Sequence, residues 1–527
     1  SSSIFCLSCL RSVLSVIQSE SWKPWILVVP CVEMQTVNGA PSTTGAPATA
    51  SLPPVSTSAP AGAAAPTPAA PTPAAPAAAA SAPAAGDNKE WKNVDSFKGA
   101  TFNSTVINII NTIVGAGVLS IAYSIMKGGV IGSILLIIAV FIPSIFTAYY
   151  LSVATLYTGK GVYGDVGTAL SNKTVGILSN LSLVLLDFGI DVAYMSVLFN
   201  QVIDIIHELF GVDLEKYRVL ISILITLLIL FPLISIKNMD TLKFTSTIAI
   251  ICVIIFVIAC IFMGIKGFGE RGWDLKMWPS KATDLSSAFA VFVLCFCSHV
   301  STTTISAELK WEQGKSKFAN KAVKVLRATI VAYVFCACAY LFVGICGYMA
   351  FGNDIKGSIL DAMRTMDVWY RPVVRIGYGL VVMFSYPILG FSAVTSIDAM
   401  IFSTERNLTR RLSEGFIYVA ICLVVCLLIP ELSTIFGVTG NFCGVLVTFI
   451  WPALYFIMLA NKEKKLPADK RKKWLNIKNW EVVVAWIIFV VGIICCIYAT
   501  TLEIINIATP APAPSVEPTA NATAMWL

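Results

Sequence analysis

Four stretches of polar or helix-breaking residues lie inside otherwise apolar runs, and each offers a particular chemistry. The first reads Asn108-Ile-Ile-Asn-Thr-Ile-Val-Gly-Ala-Gly-Val-Leu-Ser, placing Gly115 and Gly117 around Ala116 with Asn111, Thr112 and Ser120 nearby. Glycines weaken a helix and let backbone approach a ligand. Unwinding there frees N–H groups, and the N-terminus of a half-helix favours an anion such as a carboxylate. The alternative is a small-residue packing face, although glycines two apart do not make one helical face. The second stretch is polar without glycine: eight of the ten residues from Cys297 to Ser306 are polar or cysteine, among them Ser298, His299 and Thr302–Thr304. Such density inside a membrane is costly unless it lines a cavity. His299 is either a structural hydrogen-bonding group or a proton carrier.

The third stretch carries two acids, Asp187 and Asp191, spaced i, i+4 on one helix face with Tyr194 close by. Each would cost about 2.5–3.5 kcal/mol at a bilayer centre, so both are expected to face protein or water. They suit a cation pathway, a proton relay or recognition of a cationic substrate. A structural pair bonded to neighbouring hydroxyls or a lysine is the plain alternative. The fourth stretch, Met383-Phe-Ser-Tyr-Pro-Ile-Leu-Gly-Phe-Ser, sets Ser385 just before Pro387, which frees a backbone carbonyl. Hydroxyl and free carbonyl oxygens suit a small hard cation such as Na⁺; a Ser-capped proline kink is the alternative.

The elements that must position these residues are membrane helices. The chain has 527 residues, 57% hydrophobic and only 13% charged. Average soluble chains carry about 25% charged residues, so there is too little polar surface here for several soluble domains. The apolar residues fall in runs of roughly twenty, each long enough to cross a bilayer core as a helix. This composition excludes a secreted domain, a cytosolic enzyme and a nucleic-acid binder. Eleven spans are expected, at about 103–125, 129–156, 177–206, 218–236, 244–265, 284–306, 327–350, 373–402, 414–430, 434–460 and 480–506. Pro143, Pro232, Pro387 and Pro452 fall within or at the ends of spans, as membrane helices tolerate. Trp273, Trp278, Trp369, Trp451 and Trp480 lie near expected span ends, where interfacial anchors belong. If the first ten spans form two halves of five, spans one and six correspond. Paired interrupted helices in such positions point to a substrate site at the midplane.

Charge gives the orientation. With the N-terminus in the cytosol, 24 of the 37 basic residues fall on the inside and 11 outside, the densest inside runs being Lys310–Arg327 and Lys462–Lys478. The net charge of +7 thus records orientation rather than an acidic partner. On this topology Asn521 is the glycosylation acceptor best placed outside, whereas Asn172 and Asn407 should be unmodified. Residues 1–33 are read as an upstream or targeting extension of uncertain role, and 34–95 as a disordered, partly polyproline Ala/Pro/Ser/Thr-rich cytosolic tail. Residues 96–507 form the transmembrane domain and 508–527 a short extracytosolic tail. Of fifteen cysteines, the twelve from Cys252 to Cys496 sit inside apolar runs and read as packing thiols, not as a metal site or a disulfide framework.

The segment Asn111-Thr-Ile-Val-Gly-Ala-Gly-Val-Leu-Ser-Ile-Ala-Tyr resembles the first-helix signature of the amino acid/auxin permease (AAAP) family, especially its sodium-coupled neutral amino acid transporter branch. Ser298-His299 followed by Ala307-Glu308-Leu309-Lys310 resembles the branch's sixth helix, and Phe384-Ser385-Tyr386-Pro387 its eighth-helix hydroxyl-x-Pro element. The resemblance covers about 94–507. It implies an all-α, LeuT-like (APC) five-plus-five inverted-repeat fold with an eleventh helix. It also implies amino acid transport with substrate held at unwound helices one and six, and Na⁺ ligands at or near Asn111 and at Ser385. The sequence departs from the family pattern at Ala122, Ser298 and Val300, which replace Pro, Cys and Pro, and the family's extracellular disulfide has no cysteines to form it. Asp187 and Asp191 are not part of the family signature.

These readings converge on a secondary active amino acid transporter working by alternating access. The expected substrate-binding residues are Asn111, Thr112, Gly115, Ala116, Gly117, Cys297, Ser298 and His299, with carbonyls near Cys297–His299 receiving the substrate ammonium. The expected ion-coupling residues are Asn111 and Ser385 for Na⁺, or Asp187, Asp191 and His299 for H⁺. No cofactor beyond the coupling ion is expected, and the partners are an amino acid and the lipid bilayer, of the plasma membrane or of an endolysosomal or vacuolar one. The competing classes are an amino acid sensor signalling through its tail and an ion channel. No filter-like loop supports a channel, and no nucleophile–base set supports an enzyme.

Overall fold

The computed structural model describes residues 101–508 except 116, 237–242, 310–316, 356, 403–405, 430, 473–474 and 476. The N-terminal extension, the Ala/Pro-rich tail and the C-terminal tail lie outside the described residues. What is described is helical and belongs to one compact unit, Ala74–Leu527. Ten helices are long and apolar enough to cross a membrane, and one bent pair makes an eleventh span.

The first span is that pair, α1 (Phe102–Ile113) and α2 (Gly117–Gly128), bent by 61°. It is followed by α3 (Val130–Thr158), a short helix α4 (Tyr163–Leu170), the third span α5 (Lys173–Phe210), α6 (Glu215–Ile234) and α7 (Lys243–Arg271). The sixth span is also two helices, α8 (Ala282–Cys295) and α9 (His299–Glu308). Then come α10 (Lys317–Phe351), α11 (Arg371–Ile401), α12 (Leu408–Leu428), α13 (Leu432–Lys465) and α14 (Asn479–Ala508).

Local chemistry sets the helix ends. The Asn172 side chain accepts from Val175 N at the start of α5, and Asn407 accepts from Arg410 N at the start of α12. Gly129, at φ 68°, turns the chain from α2 into α3, and a Cβ there would lie 2.5 Å from the Trp278 backbone, so only glycine fits. Pro232 and Pro452 each follow a π-helical stretch, at Thr226–Leu230 and Leu446–Ile450, where the proline has removed an N–H from the ladder. Trp273, Trp278, Trp369 and Trp480 are exposed at span ends as expected, but Trp451 is not an interfacial anchor. It lies in mid-span, half-buried, and donates to Ser182 Oγ at 3.0 Å. The apolar run of α13 continues for nine residues beyond Trp451, to Ala460, and this sets Trp451 inside the span rather than at its end.

Helices pack with their counterparts from the other half: α2 against α8, α3 against α10, α5 against α11, and α6 against α12. This is the five-plus-five arrangement, with α14 packed on α8 and α13. It separates a bundle of α1–α3 and α8–α10 from a second group, α5, α6, α11 and α12. Lipid-facing positions carry the exposed Leu, Ile, Val and Phe side chains, such as Leu228, Ile265 and Ile497.

Candidate substrate and ion-coupling site

The two helix breaks meet at the centre of the structure. Between α1 and α2 the ladder stops at Val114, and Gly115 N bonds only as far back as Ile113 O, at 3.0 Å. A Cβ on Gly115 would stand 2.8 Å from the Tyr194 hydroxyl, and one on Gly117 2.8 Å from Cys295 Sγ. The glycines therefore serve both as the break and as close-packing positions. Span six breaks over Phe296–Ser298 without a glycine. The Cys297 thiol faces the N–H groups of His299 and Val300, and so stands where an N-cap side chain would for α9.

Three tyrosines accept the task of satisfying the freed carbonyls. Tyr340 on α10 donates to Ile113 O at 2.9 Å, Tyr333 on α10 to Phe296 O at 2.7 Å, and Tyr378 on α11 to Gly115 O at 2.8 Å. All three are fully buried. Sequence reasoning missed them because a single tyrosine in an apolar span carries no sign that its partner is a backbone oxygen. They also change one expectation. Two carbonyls at this break are occupied: that of Phe296 by Tyr333, and that of Ser298 by the amides of Ser301 and Thr302, at 3.1 Å each.

A cavity of about 150 Å³ opens where the breaks meet α5, α11 and α13. Of the expected residues, Asn111, Thr112, Gly115, Gly117, Cys297 and Ser385 line it, while Ala116 lies outside the described residues. Ser298 and His299 do not line it. Ser298 Oγ lies 2.8 Å from the Tyr333 hydroxyl, and His299 Nε2 lies 3.0 Å from Thr147 Oγ1 on α3. Helical periodicity separates them: Cys297, Val300, Ser301 and Thr304 share the cavity face, and Ser298 and His299 turn toward α10 and α3. Ser301, Thr304, Ser392 and Tyr194 also line the cavity, although none is among the residues expected to bind, and Ile190, Leu294, Ile388 and Phe436 form its apolar wall. Thr112 and Ser301 tie the two broken spans together, hydroxyl to hydroxyl, at 3.0 Å.

Among the described residues, no Lys, Arg, Asp or Glu lines the cavity. Asp187 and Asp191 are fully buried just behind it, on the α5 face that also presents Ile190 and Tyr194. A second cavity of about 30 Å³ shares Val300, Thr304 and Ser392 with the first and reaches Gly161 and Val162 in the α3–α4 loop. The way from the centre toward that end is therefore lined with hydroxyls. At the opposite end, ion pairs fasten α5 to α11 and to the loop before it: Asp204 with Arg375 of α11 at 2.7 Å and with Arg364 of the loop at 2.8 Å, and Glu208 with Arg371 of α11 at 2.7 Å. In the loop beside them, burial pushes the Asp361 carboxyl up to about 6, against the opposing pull of the Arg364 charge. Among the described residues no group of three His, Cys, Asp or Glu side chains could hold a metal ion, and the described cysteines are free thiols.

Comparison with known proteins places this architecture. Residues 98–505 match the family described as "Transmembrane amino acid transporter protein". The chain is 24% identical over 430 residues to "Amino acid transporter AVT6E" of Arabidopsis thaliana, covering 77% of this chain and 84% of that one. It is 21% identical over 427 residues to "Sodium-coupled neutral amino acid transporter 7" of Danio rerio, covering 77% and 87%. Among solved structures, the manganese transporter of Eremococcus coleocola superposes with a TM-score of 0.54 at 12% identity, over 81% of this chain and 90% of that one. The inward-facing conformation of Mhp1 superposes with a TM-score of 0.52 at 11% identity, over 78% and 92%. At these identities the solved structures speak to the fold alone, the LeuT-like five-plus-five inverted repeat.

Proposed function

Because the chain belongs to the family of transmembrane amino acid transporter proteins, we propose that it is a secondary active transporter that carries an amino acid through the central cavity by alternating access, coupled to Na⁺ or H⁺. The observation that carries this reading is the cavity itself: it lies where both helix breaks meet, and its wall combines uncharged polar groups with an apolar side. The substrate carboxylate would take N–H groups presented around Gly115 and Gly117, at the start of α2, where the helix dipole favours negative charge. With the Phe296 and Ser298 carbonyls engaged by tyrosine and backbone donors, the ammonium would also take side-chain oxygens of the same wall, from Asn111, Thr112 and Ser301. The side chain would lie against Ile190, Leu294, Ile388 and Phe436.

Asn111 and Ser385 line this cavity together, which suits a Na⁺ site sharing it with substrate. The proton alternative uses Asp187 and Asp191, with His299 behind the break. Binding would shift the balance between states open to either side in proportion to its differential affinity for them. The Lys/Arg bias supports a cytosolic N-terminus with the α3–α4 loop on the inside. The membrane is the plasma membrane or a vacuole-like one.

The test is uptake by proteoliposomes of each labelled amino acid in turn, under an inward Na⁺ gradient, an inward H⁺ gradient and neither. Saturable uptake of at least one amino acid, raised by either gradient, supports the reading. Uptake of none above protein-free vesicles overturns it.

A further inference from the structure

Asp187 and Asp191 are both 0% exposed, one turn apart on α5. Asp191 Oδ2 accepts a hydrogen bond from the Tyr418 hydroxyl of α12 at 2.8 Å, and its Oδ1 makes none. Neither oxygen of Asp187 makes a hydrogen bond. The groups that face Asp187 are the Ser392 hydroxyl of α11 and the Cys297 thiol of the span-six break. Ser392 lines both cavities and Cys297 the central one. On α5 itself, Leu183 lines the smaller cavity, and Ile190 and Tyr194 line the central one. Asp187 therefore holds an unpartnered, fully buried carboxyl on the strip of helix that runs between the two cavities.

The titratable groups facing the pair are Tyr418 and Cys422 from α12, Tyr386 from α11 and Cys297 from span six. None of these is a cation, and the His299 ring is engaged with Thr147 on α3. A carboxylate held so deep costs several kcal/mol unless a positive charge joins it. Two carboxyls this close do not both ionise readily, so the pair titrates as a unit. A hard metal ion would require a shell of oxygen ligands, whereas thiols of Cys297 and Cys422 make up part of the surroundings. A proton requires no shell.

Resting on the reading of an ion-coupled transporter, we propose that Asp187 and Asp191 form a proton-binding site that couples H⁺ movement to the central cavity. When the cavity wets Ser392, a hydronium ion gives its proton to an Asp187 oxygen: one O–H bond breaks, one forms, and water leaves. The neutral carboxyl is then buried at low cost while the helix groups rearrange. Water on the other side takes the proton back and restores the carboxylate. Asp191, steadied by Tyr418, sets how readily Asp187 accepts, because its charge opposes a second one beside it.

The experiment uses the full chain in proteoliposomes carrying a pH-sensitive dye, with an equimolar mixture of labelled amino acids as probe. The wild type should take up label about tenfold faster at external pH 5.5 than at 7.5, with proton entry reported by the dye. Asp187→Asn and Asp191→Asn should each reduce that ratio to below about twofold and abolish the substrate-dependent dye signal. Tyr418→Phe, which keeps the ring and removes only the hydroxyl, should move the pH of half-maximal uptake, and this keeps the proposal testable if an Asn variant fails to fold. Wild-type uptake that ignores the pH gradient overturns this proposal and leaves amino acid transport standing. So does proton entry persisting in a folded Asn variant, or a Tyr418→Phe profile that does not move. A wild type that takes up no amino acid under any gradient overturns transport itself.

Discussion

Tyr378→Phe isolates one hydrogen bond between the two helix groups that the proposed alternating access would move apart. Tyr378 on α11 reaches across to Gly115 O in the break of span one, at 2.8 Å, and its ring packs 4.9 Å from that of Phe256. Phenylalanine keeps the ring packing and leaves the carbonyl only the long bond from the Val118 amide, at 3.4 Å. An acceptor left so weakly satisfied costs about 1–3 kcal/mol. That cost falls on the conformation with the groups together. It is absent when they separate and water reaches the carbonyl. The equilibrium should therefore move by roughly five- to 150-fold toward the state open at the Tyr378 end. Cys297 lines the cavity and reports that opening. Its labelling by a membrane-impermeant thiol reagent applied from the Tyr378 side, scored against Cys297→Ala, should rise by about tenfold in Tyr378→Phe. Labelling that stays level or falls would refute the claim that this bond holds the two groups together.

Three further outcomes follow from the same geometry. Gly117→Ala brings a methyl to 2.8 Å from Cys295 Sγ and should destabilise the protein by about 1–3 kcal/mol; adding Cys295→Ala should recover most of the melting temperature, and a simple sum of the two losses would contradict the contact. Burial holds the Asp361 carboxyl at about 6, above its unfolded value, so its folded state binds the proton more tightly and loses stability as pH rises through about 6. Asp361→Asn should therefore raise stability by about 1–3 kcal/mol at pH 7.5 and by nothing below about pH 4, read as melting temperature against pH. Asn172 and Asn407, whose side chains cap α5 and α12, should carry no glycan when the chain is made in a glycosylating host, and glycan on either would reverse the topology.

The spans were legible because a bilayer demands twenty apolar residues in a row, and that demand is written in composition. Trp451 was misread as an interfacial anchor because apolar residues extend on both sides of it, which puts its ring inside the span. The break in span one was legible from Gly115 and Gly117, since glycine is the residue that unwinding favours. The break in span six was less so, because a thiol and the hydroxyl of Tyr333, rather than glycine, support it. Polar density marked the right segment but treated it as one surface. Only the helical register separates Ser301 and Thr304, which reach the cavity, from Ser298 and His299, which do not. The tyrosines were illegible because their partners are backbone carbonyls in other spans, 37 residues away in sequence for Tyr333, 227 for Tyr340 and 263 for Tyr378. Asp187 and Asp191 were visible as costly groups, but their lack of a counter-charge emerged only from the packing of α11 and α12 around them.

The central claim is that the cavity where the two breaks meet is the route of an amino acid. Its most direct measurement is accumulation of labelled amino acid by proteoliposomes containing the wild type or Ser301→Phe, whose ring would fill much of the space lined by Asn111, Thr304 and Ser385. The wild type should concentrate at least one amino acid above its external level while a Na⁺ or H⁺ gradient lasts, and Ser301→Phe, folded and inserted, should bring it no higher than protein-free vesicles. Accumulation by Ser301→Phe equal to that of the wild type, or none by either, would contradict the account.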